Sequence, residues 1–414
     1  MPELSAPKFA ILTRRRFLRT AGFAGVAAIV GARVVEAVAA ETVTLPFANG
    51  ERPLATFPQK RPLILLTTRP PQLETPFSVF NDGLLTPNDA FFVRYHLSQV
   101  PTAIDPDKFT LAIKGAVASP LTLSLEELRS KFEAVELVAV NQCSGNGRGF
   151  SNPRVPGGRM GNGAMGNACW KGVRLKDVLH KAGVAGAAKQ VAFNGLDSPV
   201  VETIPDYVKA LDVDQALDAD TMLAYEMNGE PLPMLNRFPL RLVVPGHYGT
   251  YWLKHLNEIT VVTEPFKGYW MDTAYRVPDN TGACIEPGTT PGRTRPIARL
   301  NVRSFITSLA EGAKLTVGRS ITLRGIAFDG GYGITQVVLS EDGGRNWREA
   351  HLGKDLGKYS FREWTIPFRP ERAGIYELRV KATNRIGQSQ PLEPLWNPAG
   401  YMRNVVESVR VAAA

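Results

Sequence analysis

The last third of the chain alternates between short apolar runs and turn residues, and this pattern constrains the fold more than any other. Asp342-Gly343-Gly344 separates two of the runs, a combination typical of a β-hairpin turn. Seven short strands joined by turns predict an all-β, immunoglobulin-like sandwich. The runs lie at residues 314–317, 320–328, 334–341, 346–351, 359–368, 375–383 and 405–411, and Trp347, Trp364 and Trp396 are expected to be core or interface residues.

The first 40 residues have the layout of an export signal. Paired arginines in Thr13–Arg19 precede an apolar run, Ala21–Ala32, and small residues that end at Ala39 and Ala40. This layout predicts a twin-arginine signal peptide, cleaved near Ala39/Ala40, and a periplasmic location. An apolar run of about a dozen residues is too short for a hydrocarbon core roughly 30 Å thick, so we expect no stable membrane anchor. Because this route carries folded proteins, it also hints at a prosthetic group.

The remaining length and charge narrow the class of protein. The chain has 414 residues, enough for two domains after the signal, which we place at 41–295 and 296–414 with a Pro- and Gly-rich linker at Glu286–Arg299. Of the net charge of +9, +4 lies in the first 40 residues and +5 remains, which is too little to predict nucleic-acid binding. The three cysteines, Cys143, Cys169 and Cys284, are too few for a disulfide framework.

Local signals place helices among the strands of the first domain. Ser124 and Glu127 form a capping-box pattern that opens a helix to about Phe132. Leu175–Lys181 predicts a short helix closed by Gly183, and Phe109–Val117 alternates like a strand. The expected fold class is therefore α+β.

Cys143 stands at the end of an apolar β-branched run. Val135–Val140 shows no period of two, which predicts a strand buried on both faces. The thiol would then be a soft ligand on a rigid support at a sheet edge. An ordinary buried cysteine beside a glycine turn explains this segment equally well, so by itself it leaves both interpretations open.

Charged side chains fall in or near several other strand-like runs. Strand alternation puts Arg94 and His96 on one face, an arrangement that suits an anion, although a surface arginine beside a capped histidine stays open. The other strand ends carry Asp197, Arg241 and Lys254. Together they predict a pocket for a large, polar, phosphorylated ligand.

Four motifs occur in a specific order: Phe-Val-Arg-x-His at 92–96, Asn-Gln-Cys-Ser-Gly-Asn-x-Arg at 141–148, Gly-Leu-Asp at 195–197, and Phe-Pro-Leu-Arg-Leu-Val-Val-Pro-Gly at 238–246, with Lys254 downstream. This order resembles the sulfite oxidase family of molybdopterin enzymes, and most closely its bacterial periplasmic sulfite dehydrogenases. The resemblance runs from about residue 80 to the C-terminus. It implies a mixed α/β molybdopterin-binding domain followed by the immunoglobulin-like domain, which serves dimerisation in that family.

The resemblance also implies roles for individual residues. Cys143 matches the molybdenum ligand, a soft donor suited to a transition metal. The catalytic set would be Cys143, Arg94, Arg148, Tyr275 and His96. The cofactor-binding set would be Phe92, Val93, Arg94, Tyr95, His96, Cys143, Asp197, Asn236, Arg241, Trp252, Leu253 and Lys254. Tyr95 and Asn236 depart from the animal enzymes, which carry asparagine and histidine there, and Arg276 departs from the residues that follow the family's tyrosine.

The implied activity is oxidation of sulfite to sulfate, with oxygen transfer from a Mo(VI)=O group of a molybdenum–molybdopterin cofactor. We expect no haem in this chain, because no Cys-x-x-Cys-His motif occurs, so electrons would pass to an external cytochrome c-type acceptor. A homodimer through the C-terminal domain is expected, and a complex with a separate haem subunit stays open. The alternatives are a molybdopterin-dependent reductase of sulfoxide-type substrates and a cofactor-free binding protein.

Overall fold

A computed structural model describes residues 41–414 of the chain. The predicted signal peptide, residues 1–40, lies outside the described residues. Within the described range the chain is mostly β, with four short α-helices. None of the helices in this range is long and apolar enough to cross a membrane.

The part of the chain before residue 297 supplies seventeen strands. They are β1 Thr42–Thr44, β2 Glu51–Ala55, β3 Leu63–Thr67, β4 Gln72–Glu74, β5 Val93–Arg94, β6 Thr110–Gly115, β7 Leu121–Ser124, β8 Ala134–Gln142, β9 Met165–Arg174, β10 Gln190–Gly195, β11 Lys209–Asp212, β12 Met222–Met227, β13 Glu230–Pro231, β14 Arg241–Val243, β15 Leu256–Val262, β16 Arg276–Pro278 and β17 Thr294–Pro296. These strands form three five-stranded sheets and one pair. The strand orders are β1-β2-β3-β4-β5, β11-β10-β15-β6-β7, and β13-β12-β9-β8 with β14 as a fifth strand paired to β12; β16 pairs with β17.

The helices follow their local signals. They are α1 Leu125–Lys131, α2 Leu175–Ala182, α3 Val213–Ala216 and α4 Tyr269–Asp272. Ser124 accepts a hydrogen bond from the backbone N–H of Glu127, whose side chain accepts one from the backbone N–H of Ser124, so the predicted capping box is present. Gly183 ends α2 with φ of +71°, in the left-handed region, where glycine carries no Cβ penalty.

Strand β8 is longer and less uniformly buried than predicted. It pairs with β9 from Ala134↔Val173 to Gln142↔Met165. Its first residues are exposed or half-buried, and only its last four, from Ala139, are fully buried. The strand therefore enters the core as it approaches Cys143, so the prediction of burial on both faces holds for its C-terminal half alone.

The C-terminal part forms two further sheets. Its strands are β18 Arg303–Ile306, β19 Lys314–Leu315, β20 Ile321–Phe328, β21 Ile334–Ser340, β22 Arg348–Glu349, β23 His351–Leu352, β24 Arg362–Phe368, β25 Gly374–Asn384 and β26 Glu407–Ala413. The sheet orders are β18-β20-β24-β23 and β19-β26-β25-β21-β22. Strands of both sheets contribute to one apolar cluster that contains the buried Trp364. The immunoglobulin-like label stays a prediction.

The two predicted domains share part of their interior. The largest hydrophobic cluster combines residues of the N-terminal sheets with Phe305, Phe328 and Phe361 of the C-terminal part. Buried Arg303 of β18 also reaches Asn162 at 2.9 Å and Gln142, the residue before Cys143, at 3.4 Å. The C-terminal part is thus packed directly against the segment that carries the candidate site.

Candidate active site

A pocket with about 400 Å³ of empty space, part of it open to solvent, lies at the end of β8. Its lining combines one thiol, several cations and aromatic rings, which is the mixture expected for a binding site with a few convergent polar groups. The lining residues are Phe91, Phe92, Arg94, His96, Asn141, Cys143, Ser144, Arg237, Arg241, Gly249, Thr250, Lys254 and Tyr275.

Cys143 is held rigidly at the cavity wall. It follows β8 directly and is 8% exposed. Its backbone N–H donates to Ala164 O at 2.9 Å, and its carbonyl accepts from Asn146 N–H at 3.0 Å. The Asn146 side chain in turn accepts from Ala164 N–H at 2.9 Å. The thiol therefore stands on a turn whose backbone hydrogen bonds are satisfied, as a preorganised ligand requires.

The cavity carries more buried positive charge than the protein neutralises. Arg237, Arg241 and Lys254 are 5%, 3% and 2% exposed, and partly exposed Arg94 joins them in the lining. In residues 41–414 none of the three arginines forms a salt bridge, and their Nε atoms have no hydrogen-bond partner. Within the same residues, the carboxylate of Asp197 forms one salt bridge, to Lys254 Nζ at 3.9 Å. Burial lowers the pKa values of Arg241 and Lys254 well below their ordinary values.

His96 and Tyr275 form a hydrogen-bonded pair at the cavity wall. His96 stacks on the ring of Tyr207 at 3.9 Å, its Nε2 bonds the Tyr275 hydroxyl, and its Nδ1 lies 2.9 Å from Lys254 Nζ. Burial, together with the charge of Arg94, lowers the pKa of His96 well below its ordinary value, so the ring is neutral. Lys254 Nζ can donate to Nδ1 either as an ammonium or as a neutral amine. Nε2–H then donates to the Tyr275 hydroxyl, whose own O–H stays available as a donor.

Several predicted cofactor residues lie behind the lining and support it. Tyr95 donates to or accepts from His255 Nε2 at 2.7 Å, and its ring lies 4.0 Å from the Arg237 guanidinium. Asn236 donates to Phe92 O at 3.2 Å. The residues predicted as cofactor-binding that the structure places outside the lining are Val93, Tyr95, Asp197, Asn236, Trp252 and Leu253.

Arg148, predicted to face the substrate, is also outside the lining. Its Nε donates to Ala399 O at 2.8 Å, and its guanidinium lies 4.8 Å from the Tyr401 ring. That ring stacks on Tyr275 at 5.2 Å. Arg148 is therefore connected to the cavity through two aromatic residues, one of them from the C-terminal part of the chain.

Six lining residues were not among the predicted site residues: Phe91, Asn141, Ser144, Arg237, Gly249 and Thr250. Position in the sequence could have indicated some of them, because Asn141 and Ser144 lie in the motif of the predicted ligand, within two residues of it, and Arg237 follows Asn236. Gly249 and Thr250 carry no charge or motif, so they had no such signal. Gly249 is needed for close approach, since a Cβ there would lie 2.5 Å from the side-chain oxygen of Asn141.

The chain is similar to known protein families and to known proteins over most of its length. Residues 96–270 match the oxidoreductase molybdopterin binding domain, and residues 294–413 match the Mo-co oxidoreductase dimerisation domain. Sulfite oxidase of Gallus gallus is 34% identical over 373 residues, which cover 86% of this chain and 79% of that protein. The chain belongs to the sulfite oxidase family.

Two further relatives and one solved structure are also similar to this chain. Sulfite oxidase of Arabidopsis thaliana is 30% identical, with 86% of this chain and 96% of that protein covered. Nitrate reductase [NAD(P)H] of Hordeum vulgare is 32% identical, with 80% of this chain and 40% of that protein covered. The structure of the sulfane dehydrogenase SoxCD from Paracoccus pantotrophus shares the fold, with a TM-score of 0.70, 22% identity, and 83% and 85% of the two chains covered.

The cavity fits the cofactor of the sulfite oxidase family. A phosphorylated pterin is anionic, and the buried arginines with unpartnered Nε atoms supply the positive charge and donors that such a ligand needs. Arg237, Arg241 and Lys254 would hold its anionic part, and Cys143 would supply the thiolate ligand for molybdenum. Arg94, His96 and Tyr275 would remain for the substrate.

Proposed function

We propose that the mature protein oxidises sulfite to sulfate at a molybdenum–molybdopterin centre bound in this cavity. The observation that supports the proposal is the excess of buried cations beside a single thiol, in a chain of the sulfite oxidase family. In the balanced reaction, sulfite and water give sulfate, two protons and two electrons. When bound, the cofactor supplies the oxygen-transfer and two-electron chemistry.

The protein's own residues bind and orient the anion. Arg94 lines the cavity with an Nε atom that has no partner. One such charge attracts a unit negative charge at 4 Å by about 4 kcal/mol at an effective dielectric near 20, before desolvation. Burial raises the pKa of Tyr275 above its ordinary value, so its hydroxyl stays protonated and donates a hydrogen bond without adding charge.

The same arrangement favours sulfite over a sulfoxide-type substrate. A neutral sulfoxide gains little from Arg94, whereas a divalent anion is attracted by it and by the surrounding cations. Reduction of a sulfoxide on this scaffold is therefore the second candidate, to be assayed beside sulfite oxidation.

The location and partners are part of the proposal. We propose a periplasmic enzyme that passes its electrons to an external cytochrome c-type acceptor, as the predicted export signal and the lack of a haem attachment motif in the sequence suggest. The match of residues 294–413 to a dimerisation domain supports a homodimer.

Sulfite-dependent reduction of ferricyanide or cytochrome c by the purified, molybdenum-loaded protein tests the proposal. We expect turnover with sulfite and none without it. Metal analysis is run on the same sample, since stoichiometric molybdenum would exclude a cofactor-free binding protein. Loaded protein that oxidises no sulfite but reduces a sulfoxide would overturn the proposal in favour of the second candidate.

A further inference from the structure

One loop of the C-terminal part, residues 397–402, reaches the candidate active site. Arg148 Nε donates to Ala399 O at 2.8 Å. The N–H of Met402 donates to Ser144 O at 3.0 Å, directly beside the predicted metal ligand. The loop is therefore attached both to a predicted substrate residue and to the turn that carries Cys143.

The loop has a defined conformation of its own. The Asn397 side chain accepts from Tyr401 N–H at 3.1 Å and donates to Tyr401 O at 2.8 Å. Gly400 has φ of +59°, and a Cβ there would lie 2.6 Å from Val155 Cγ2. A side chain at this position would meet both backbone strain and steric overlap, so the loop is shaped to lie close to the 148–155 segment. This conformation presents Tyr401 to the site.

The Tyr401 ring contacts two predicted catalytic residues at once. It stacks on Tyr275 with ring centroids 5.2 Å apart and an angle of 14° between the planes. The Arg148 guanidinium lies 4.8 Å from the Tyr401 centroid, which is within the range of a cation–π contact. Burial raises the pKa of the Tyr401 hydroxyl, so the ring remains neutral.

Arg148 and Tyr275 both need a neighbouring group that restricts their conformation. Arg148 is half-buried on a long flexible side chain, and it has no salt bridge in the part of the chain that the structure describes. Tyr275 has φ of +59°, a conformation that a non-glycine residue keeps only where its surroundings hold it. A flat ring packed against both side chains restricts their rotamers and so preorganises them.

We propose that Tyr401 is a positioning residue: its ring fixes Tyr275, which lines the anion-binding cavity, and holds the positive charge of Arg148 beside that cavity. The proposal rests on sulfite oxidation as the function of this site. It assigns to the C-terminal part a role in substrate binding, through a residue 126 positions after Tyr275 in the sequence.

The test compares ring removal with ring retention in the loaded, full-length enzyme. Tyr401→Met replaces the ring with a flexible apolar chain, and Tyr401→Phe keeps the ring. Tyr332→Met is the matched control, because Tyr332 is an exposed tyrosine of the same region whose ring lies 5.8 Å from the Arg299 guanidinium. Sulfite KM and kcat are measured with ferricyanide, and the Kd of inorganic sulfate is measured by calorimetric titration.

For Y401M we expect the KM for sulfite and the Kd for sulfate to be about tenfold higher than in the wild type, because one desolvated cation–π contact is lost. The kcat of Y401M should stay within about threefold of the wild-type value. Y401F and Y332M should stay within about twofold of the wild type. A purely structural role would lower stability or molybdenum content without this split between KM and kcat. If Y401M fails to accumulate, Tyr401→Leu replaces it as the variant without a ring, with the same expected result and the same Y401F comparison.

Three outcomes would overturn the proposal: unchanged sulfate binding in Y401M, an effect in Y401F as large as in Y401M, or a loss of molybdenum that accounts for the whole change. A wild-type enzyme without sulfite turnover would sink the proposed function instead. The calorimetric titration with sulfate would still report whether Tyr401 shapes an anion site, so the two failures are distinguishable.

Discussion

Replacing Arg241 with methionine should have opposite effects on the cofactor-free protein and on cofactor binding. Arg241 is 3% exposed, has no salt bridge in residues 41–414, and its Nε has no hydrogen-bond partner. Its guanidinium lies 5.1 Å and 5.4 Å from the ring centroids of Trp170 and Trp252. Without an anion, the protein therefore bears the desolvation of an unneutralised charge, offset in part by two cation–π contacts.

The magnitudes follow from these contacts. Replacing a buried ion pair by apolar residues of similar volume stabilises some proteins by about 1–4 kcal/mol, and we take this range for the unpaired charge of Arg241. The lost cation–π contacts reduce the gain by about 1–2 kcal/mol. We therefore expect cofactor-free R241M to be about as stable as the wild type or up to about 3 kcal/mol more stable. Loss of one charge–phosphate interaction of about 4 kcal/mol should weaken cofactor binding roughly a thousandfold.

Arg303→Met is the matched control. Arg303 is also buried, at 0% exposure, but it pairs with Glu407 at 2.9 Å. Removing one partner of a buried pair should destabilise the protein by about 3–5 kcal/mol. The assays are urea unfolding of protein from cells that cannot make the cofactor, and molybdenum content of protein from cells that can. R241M that unfolds as easily as R303M, or that retains wild-type molybdenum, would refute the reasoning.

Two further predictions concern the thiol and a buried carboxyl. Cys143→Ser should abolish sulfite turnover with an unchanged circular dichroism spectrum; wild-type rates would show that Cys143 is not the metal ligand. Glu74 is 1% exposed and accepts from Gly161 and Gly163 N–H at 3.0 Å and 3.2 Å, and burial raises its pKa to about 7. Between about pH 4.5 and 7 the carboxyl is protonated in the folded protein and ionised in the unfolded chain, so folding takes up a proton. The free energy of unfolding therefore falls by about 1.4 kcal/mol for each pH unit of increase in this window. Glu74→Gln should flatten this decline in thermal unfolding scans, and an identical slope in both proteins would contradict the assignment.

Local features of this protein were readable from the sequence. Helix α1 follows from Ser124 and Glu127, because a capping box needs only residues three apart. The strands after residue 314 follow from alternation and turn residues, since both act over a few positions. Strand β18, Arg303–Ile306, was not predicted: all four residues are buried, two of them polar, so no alternation marks it.

The position of Cys143 at the end of β8 was also predictable, because a β-branched run stops at a polar turn. The order of four short motifs predicted the sulfite oxidase family, and the comparisons confirm that family. The roles of single site residues stay predictions.

Only the tertiary structure decided how the charges and rings meet. His96 bonds Lys254 across 158 positions, and Arg148 bonds Ala399 across 251. Such contacts depend on how the sheets pack together. Local periodicity and propensity act over a few residues and therefore cannot predict contacts at these sequence separations. The same packing left Arg148 beside the cavity instead of in its lining and brought Tyr401 against Tyr275. The sequence thus determined which chemical groups the chain carries and where several of its strands and helices lie, whereas long-range packing determined which of those groups share a surface.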